Sequence, residues 1–146
     1  MGRHERNGRT DLRKAALKRK ADAWSLWRAD GEHGRGAAYI GGYAIECKLK
    51  AIAMEIFNCW TLDQLAAKWG VKDEREVYTH GLEVFASRLP LYQRLRTSPV
   101  WRDFAGQVNR WRVDWRYDPH DWEKKRTQAF LEAVDRVYGW LESNRC

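Results

Sequence analysis

Residues 39–51 read YIGGYAIECKLKA, and the kind of element they form decides the architecture. Around them Ile40, Tyr43, Ala44, Cys47, Ala51 and Met54 recur at intervals of three and four, the repeat of a helix with one face on a core. The spacing predicts a helix from about Gly36 to Asn58. Adjacent glycines inside a helix cost about 1 kcal/mol each against alanine, so Gly41 and Gly42 imply that something, most simply another backbone, approaches that turn closely.

The same period continues outward in both directions. Leu12, Ala16, Ala23 and Trp27 place a first helix from Thr10, as N-cap, to about Asp30, with Gly31 and Gly34 breaking it. Thr61 followed by Gln64 is a capping-box pattern that opens a short helix through Leu62, Leu65, Ala66 and Trp69, and Gly70 ends it. A further helix is expected from Thr79 through Leu82, Phe85 and Leu89 to Pro90. Ser98 before Pro99 should open a long helix carrying Trp101, Phe104, Val108, Trp111 and Trp115 on one stripe. Asp118 before Pro119 repeats that start signal for a last helix whose inner face holds Phe130, Ala133, Val134, Val137, Trp140 and Leu141. No alternating strand pattern occurs, so the class is all-α and the architecture an up-and-down bundle of four to five helices.

At 146 residues, 44% hydrophobic and 32% charged, the chain suits one globular domain, read as a basic arm at residues 1–9 and a bundle over 10–146. No apolar run approaches the roughly 18 residues of a spanning helix and the start lacks a signal-peptide centre, so a cytoplasmic protein without membrane contact is expected. Cys47, Cys59 and Cys146 are too few and too scattered for a disulfide framework or a zinc site, and no metal or cofactor is expected. Cys47 should lie in the core. The net charge is +7; eight Lys or Arg stand in the first twenty residues against Glu5 and Asp11, and six arginines lie between Arg94 and Arg116 against Asp103 and Asp114. Such blocks suit a phosphate-bearing partner, nucleic acid or nucleotide, although a solvated basic face has the same composition.

The run GRGAAYIGGYAIECKLKA, then YTHGLEVF, then WRVDWRYDP and a final amphipathic helix, resembles the HEPN family, the higher-eukaryote and prokaryote nucleotide-binding domains. In that family a G-Y-A-x-E-C-x-L-K-A segment lies on the second helix, T-H-x-L opens a later one and R-Y-x-P precedes the last. The resemblance covers residues 10 to about 142 in the family's order. It implies a four- or five-helix bundle, often a homodimer, that works beside a nucleotidyltransferase partner protein in toxin–antitoxin or defence systems. Nine tryptophans also argue for a symmetric dimer through the Trp-striped or the last helix, because a monomer exposing several of them would carry a large apolar patch.

Tyr43, Glu46 and Lys50 stand at i, i+3 and i+7 and share one stripe beside Cys47. A carboxylate at the edge of a core needs a cation, and Arg116 of the R-Y-D-P segment is the first candidate, Lys50 the second. The cluster reads either as a structural ion pair or as a binding site for phosphate or ribose, with Arg110, Arg112 and Tyr117 contributing. Many HEPN proteins are metal-independent ribonucleases with an arginine, four to six residues and a histidine. Arg75 with His80 and Arg28 with His33 fit that spacing, whereas Arg116 and His120 stand closer with Pro119 between them. Neither matching pair lies where the family keeps its catalytic residues, so a binder and a ribonuclease using His80 and Arg75 both stay open. A cleaving site needs a group that moves the 2′-hydroxyl proton and a cation on the phosphate. A third reading takes TLDQLAAKWGVKDEREVY as a helix-turn-helix DNA-binding element, but Asp73, Glu74 and Glu76 would then repel the phosphate backbone.

Overall fold

The computed structural model describes residues 8–29, 33–71, 80–117 and 122–145, the side chains of Arg116 and Tyr117 excepted. Among these there are seven α-helices and no strand: α1 (Arg9–Arg28), α2 (Gly34–Ile56), α3 (Leu62–Trp69), α4 (Leu82–Ala86), α5 (Tyr92–Arg96), α6 (Trp101–Gly106) and α7 (Lys124–Ser143). Two 3-10 turns, Val108–Arg110 and Val113–Tyr117, lie between α6 and α7. The protein is an all-α bundle, and no described helix is long and apolar enough to cross a membrane.

α1 and α2 pack along their length, α7 crosses both, and α2 also meets α3, α4 and the second 3-10 turn. Surrounded in this way, α2 is buried on every side, with each residue from Ala44 to Met54 withdrawn from solvent. A helix so placed is ordinarily apolar all round. This one carries Glu46, Lys48 and Lys50 through the same stretch, 5%, 2% and 6% exposed, and each needs a partner.

Gly41 marks the meeting point of the three long helices. A Cβ there would lie 2.7 Å from Leu131 Cδ2 of α7, 3.6 Å from Val134 Cγ2 and 3.8 Å from Ala23 Cβ of α1. Gly42 faces the indole of Trp111, which occupies the space a Cβ would take. The close approach expected at the two glycines is therefore made by side chains and not by another backbone.

The same indole explains the main departure from the expected elements. The Trp-striped segment is not one long helix. α6 ends at Gly106, the first 3-10 turn follows, and the chain turns extended at Trp111 (φ −56°, ψ 137°). Trp111 then reaches over Gly42, donates from Nε1 to the Tyr39 carbonyl at 2.9 Å and stacks on the Tyr39 ring at 5.8 Å. Phe104, Val108 and Trp111 are buried within the chain, while Trp101 and Trp115 are partly covered. A polar clamp holds the turn against α4: Asn109 Nδ2 donates to Glu83 Oε2 at 3.1 Å, Asn109 Oδ1 accepts from the Glu83 amide at 3.0 Å, and Tyr92 donates to Glu83 Oε1 at 2.9 Å.

The other boundaries follow local chemistry more closely. Thr61 Oγ1 accepts from the Gln64 amide at 3.1 Å as the capping pattern requires, although Gln64 Oε1 takes the Trp60 amide at 2.7 Å and not that of Thr61. Gly70, at φ 65°, closes α3 with Val71 N–H on Ala66 O and Gly70 N–H on Ala67 O. Asn58 plays the same left-handed role after α2 at φ 54°, with Cys59 N–H on Met54 O and Asn58 N–H on Glu55 O. α1 is capped by Gly8 and not Thr10, because Gly8 bridges Thr61 and Arg9 N–H donates to Trp60 O at 3.0 Å. The bundle thus includes Gly8 and Arg9. α4 is shorter than expected but buries Leu82 and Phe85, with Leu89 beyond it. α7 begins at Lys124, and Asp118 and Pro119, the expected start, lie outside the described residues. So does 72–79, which a helix-turn-helix reading needs.

Candidate functional site

The helical repeat of α2 brings Tyr43, Glu46, Cys47 and Lys50 to one side of it. Lys50 Nζ lies 3.8 Å from Glu46 Oε1, and both side chains are buried. The second partner of Glu46 comes from elsewhere in the chain: His80, which precedes α4, bonds to Glu46 Oε1 through Nδ1. Its ring is about half exposed (51% of the side chain) and meets Trp111 edge-on, with centroids 6.2 Å apart. The contact that breaks the Trp-striped segment therefore also builds one wall of the His80 site.

In the neutral ring, Nδ1–H donating to the carboxylate fixes the tautomer and leaves Nε2 as an acceptor. A buried carboxylate behind a half-exposed imidazole can orient that ring for hydrogen bonding to a ligand or for proton transfer. Burial pulls the Lys50 ammonium below its ordinary range, with Glu46 opposing the shift. Burial also pushes the Cys47 thiol up to about 11, the Tyr43 hydroxyl opposing and Glu46 reinforcing. The Tyr43 hydroxyl itself is held well above its usual range by burial, then by the neighbouring Cys47 and by Glu46. Both Cys47 and Tyr43 are thus protonated at neutral pH.

Of the residues expected to bind or catalyse, the structure brings together Tyr43, Glu46, Lys50 and His80. Arg110 and Arg112 are exposed and flank Trp111 in the chain. Arg116, expected as the first partner of Glu46, is described in its backbone only; like the side chain of Tyr117, and like Arg75 and His120, its side chain lies outside the described residues. Arg28 ends α1 and His33 precedes α2, both exposed. At 1.5 Å per residue His33 stands about 20 Å along the helix from Glu46, so that pair does not join the cluster. No group of three metal-ligating side chains occurs among the described residues.

One buried charge escaped the sequence reading. Lys48 Nζ pairs with Glu142 of α7 and sits 4.8 Å from the Tyr138 ring centroid. Lys48 stands four residues after Ala44 and three before Ala51, at the border of the stripe that periodicity assigned to the core, and it is α7 that covers this border. Compared with family models, curated proteins and solved structures, the chain matches none.

Proposed function

We propose that this chain is a HEPN-like RNA- or nucleotide-binding protein whose ligand meets His80 over the buried Glu46–Lys50 pair, with Arg110 and Arg112 beside it. The observation that carries the reading is the half-exposed His80 ring held through Nδ1 by a carboxylate that is itself buried. A purely structural pair would be completed by Lys50 alone. Here the carboxylate also orients a ring whose other nitrogen is left for a ligand. The exposed Arg110 and Arg112 supply phosphate contacts on either side of Trp111, and the net charge of +7 favours a polyanion.

The same dyad favours a second reading, metal-independent cleavage of RNA. His80 would take the 2′-hydroxyl proton at Nε2 while Glu46 steadies the ring and Arg75 holds the phosphate; the 2′-oxygen would bond to phosphorus as the P–O5′ bond breaks, the leaving 5′-oxygen taking a proton from water. The resemblance adds a homodimer and a nucleotidyltransferase partner in a toxin–antitoxin or defence setting.

The test is anisotropy of a labelled single-stranded RNA, competed with ATP, on wild type, His80→Ala and Arg110→Ala/Arg112→Ala. Binding should weaken about tenfold in each variant, and the arginine variant should lose about one unit of salt slope per phosphate contact. Unchanged affinity and slope in both variants would remove the site. Incubating RNA in chelator separates the two readings: intact RNA supports the binder, and cleavage lost in His80→Ala supports the ribonuclease.

A further inference from the structure

A second site lies at the corner where α2 passes into α3. After the left-handed turn at Asn58 the buried Cys59 faces the core and Trp60 turns outward, and with Gln64, Ala67 and Lys68 of α3 the turn lines an open groove of about 570 Å³. Trp60 is 58% exposed, an unusual setting for so large an apolar ring. The Arg9 guanidinium lies 3.7 Å from the centroid of that ring, and its Nε donates to Cys59 O at 3.1 Å. Its Nη2 is buried without a hydrogen-bond partner. Among the described residues no carboxylate pairs with Arg9 or with Lys68. A buried guanidinium N–H left unmatched is costly, and two cations without a carboxylate partner among the described residues, beside an exposed indole, form a surface complementary to an acidic, partly apolar ligand.

We propose that this groove docks an acidic peptide segment of a partner protein, with an apolar side chain laid on Trp60 and Ala67 and a carboxylate on Lys68, the Arg9 guanidinium on the Trp60 ring adding positive charge beside it. The groove is an open trough along a helix flank, whereas small ligands are mostly enclosed by their pockets. The Gln64 amide, whose oxygen already takes the Trp60 N–H, has Nε2 left to donate to a peptide carbonyl. RNA fits less well, since the two cations make no continuous track along which a phosphate backbone could run. The inference is independent of the His80 site.

The probe is a labelled, blocked pentapeptide of phenylalanine flanked on each side by two acidic residues, followed by anisotropy on the full chain. Saturable binding that weakens with salt is expected, reduced about tenfold or more in Lys68→Glu and in Trp60→Ala and unchanged in His80→Ala. Lys68 and Trp60 are exposed, so both variants should keep the wild-type melting temperature, which is measured alongside. Absence of saturation at millimolar peptide, or wild-type affinity in both groove variants, overturns the proposal. Displacement of the peptide by single-stranded RNA whose own affinity drops in Lys68→Glu and Trp60→Ala would assign the groove to RNA and overturn the peptide as occupant.

Discussion

Replacing Gly42 by alanine tests the contact on which both the fold and the site depend. The added Cβ would lie 2.6 Å from Trp111 Nε1 and nearer still to Cδ1 and Cγ, distances at which one group has to move. The obstacle is a rigid bicyclic ring, 4% exposed and anchored on Tyr39 O, and not the end of a flexible chain. If the indole leaves, the loss approaches that of truncating a buried tryptophan, about 3–5 kcal/mol, with its hydrogen bond included. Alanine returns about 1 kcal/mol of helix propensity. Gly42→Ala should therefore lower stability by about 2–4 kcal/mol in urea unfolding. In a Trp111→Leu background, which removes the indole, the same change should cost less than about 1 kcal/mol or become favourable. Because Trp111 walls the His80 site, any RNA affinity should also fall in the folded fraction. A Gly42→Ala protein as stable as wild type would refute the claim that the indole fills the place of a side chain.

Gly139, on the exposed face of α7, is the counter-case: a Cβ there meets nothing within 4 Å, so Gly139→Ala should raise stability by about 0.5–1 kcal/mol in the same assay. Glu46→Gln leaves Lys50 buried without its counter-charge and should cost about 3 kcal/mol or more, much of it recovered in Glu46→Gln/Lys50→Met; a loss below about 1 kcal/mol would mean the pair behaves as if exposed. Cys47 makes stability fall at alkaline pH. Its thiol titrates at about 11 when folded against an ordinary 9.0, so across that interval the folded state holds the extra proton and loses up to about 2–3 kcal/mol of stability as pH rises. Lys50, drawn below 10.5 by burial, acts in the opposite sense, so the informative comparison is the slope of stability against pH. Cys47→Ala should flatten the decline between pH 9 and 11, and an unchanged slope there would contradict the burial of the thiol.

The sequence by itself determined the helical class, the span of α2 and both ends of α3, because these rest on interactions within a few residues: the three-and-four period, the Thr61 cap and the Gly70 turn. It also marked Glu46 as a carboxylate that had to be paired and Lys50 as one partner, since their spacing on a helix is fixed. What it could not determine depends on groups distant in the chain. The period from Trp101 to Trp115 is that of a helix, but burying Trp111 over Gly42, with its N–H on Tyr39 O, outweighs the few backbone bonds a continuous helix would have kept. Lys48, at the border of the α2 stripe, is buried because α7 covers that side. His80 reached Glu46 only because the Asn109–Glu83 clamp and the Trp111 ring hold the start of α4 against α2. Local spacing sets which residues share a face of one helix. Which face is covered, and by what, is set by the energy of packing several elements at once, and that is decided only in the tertiary structure.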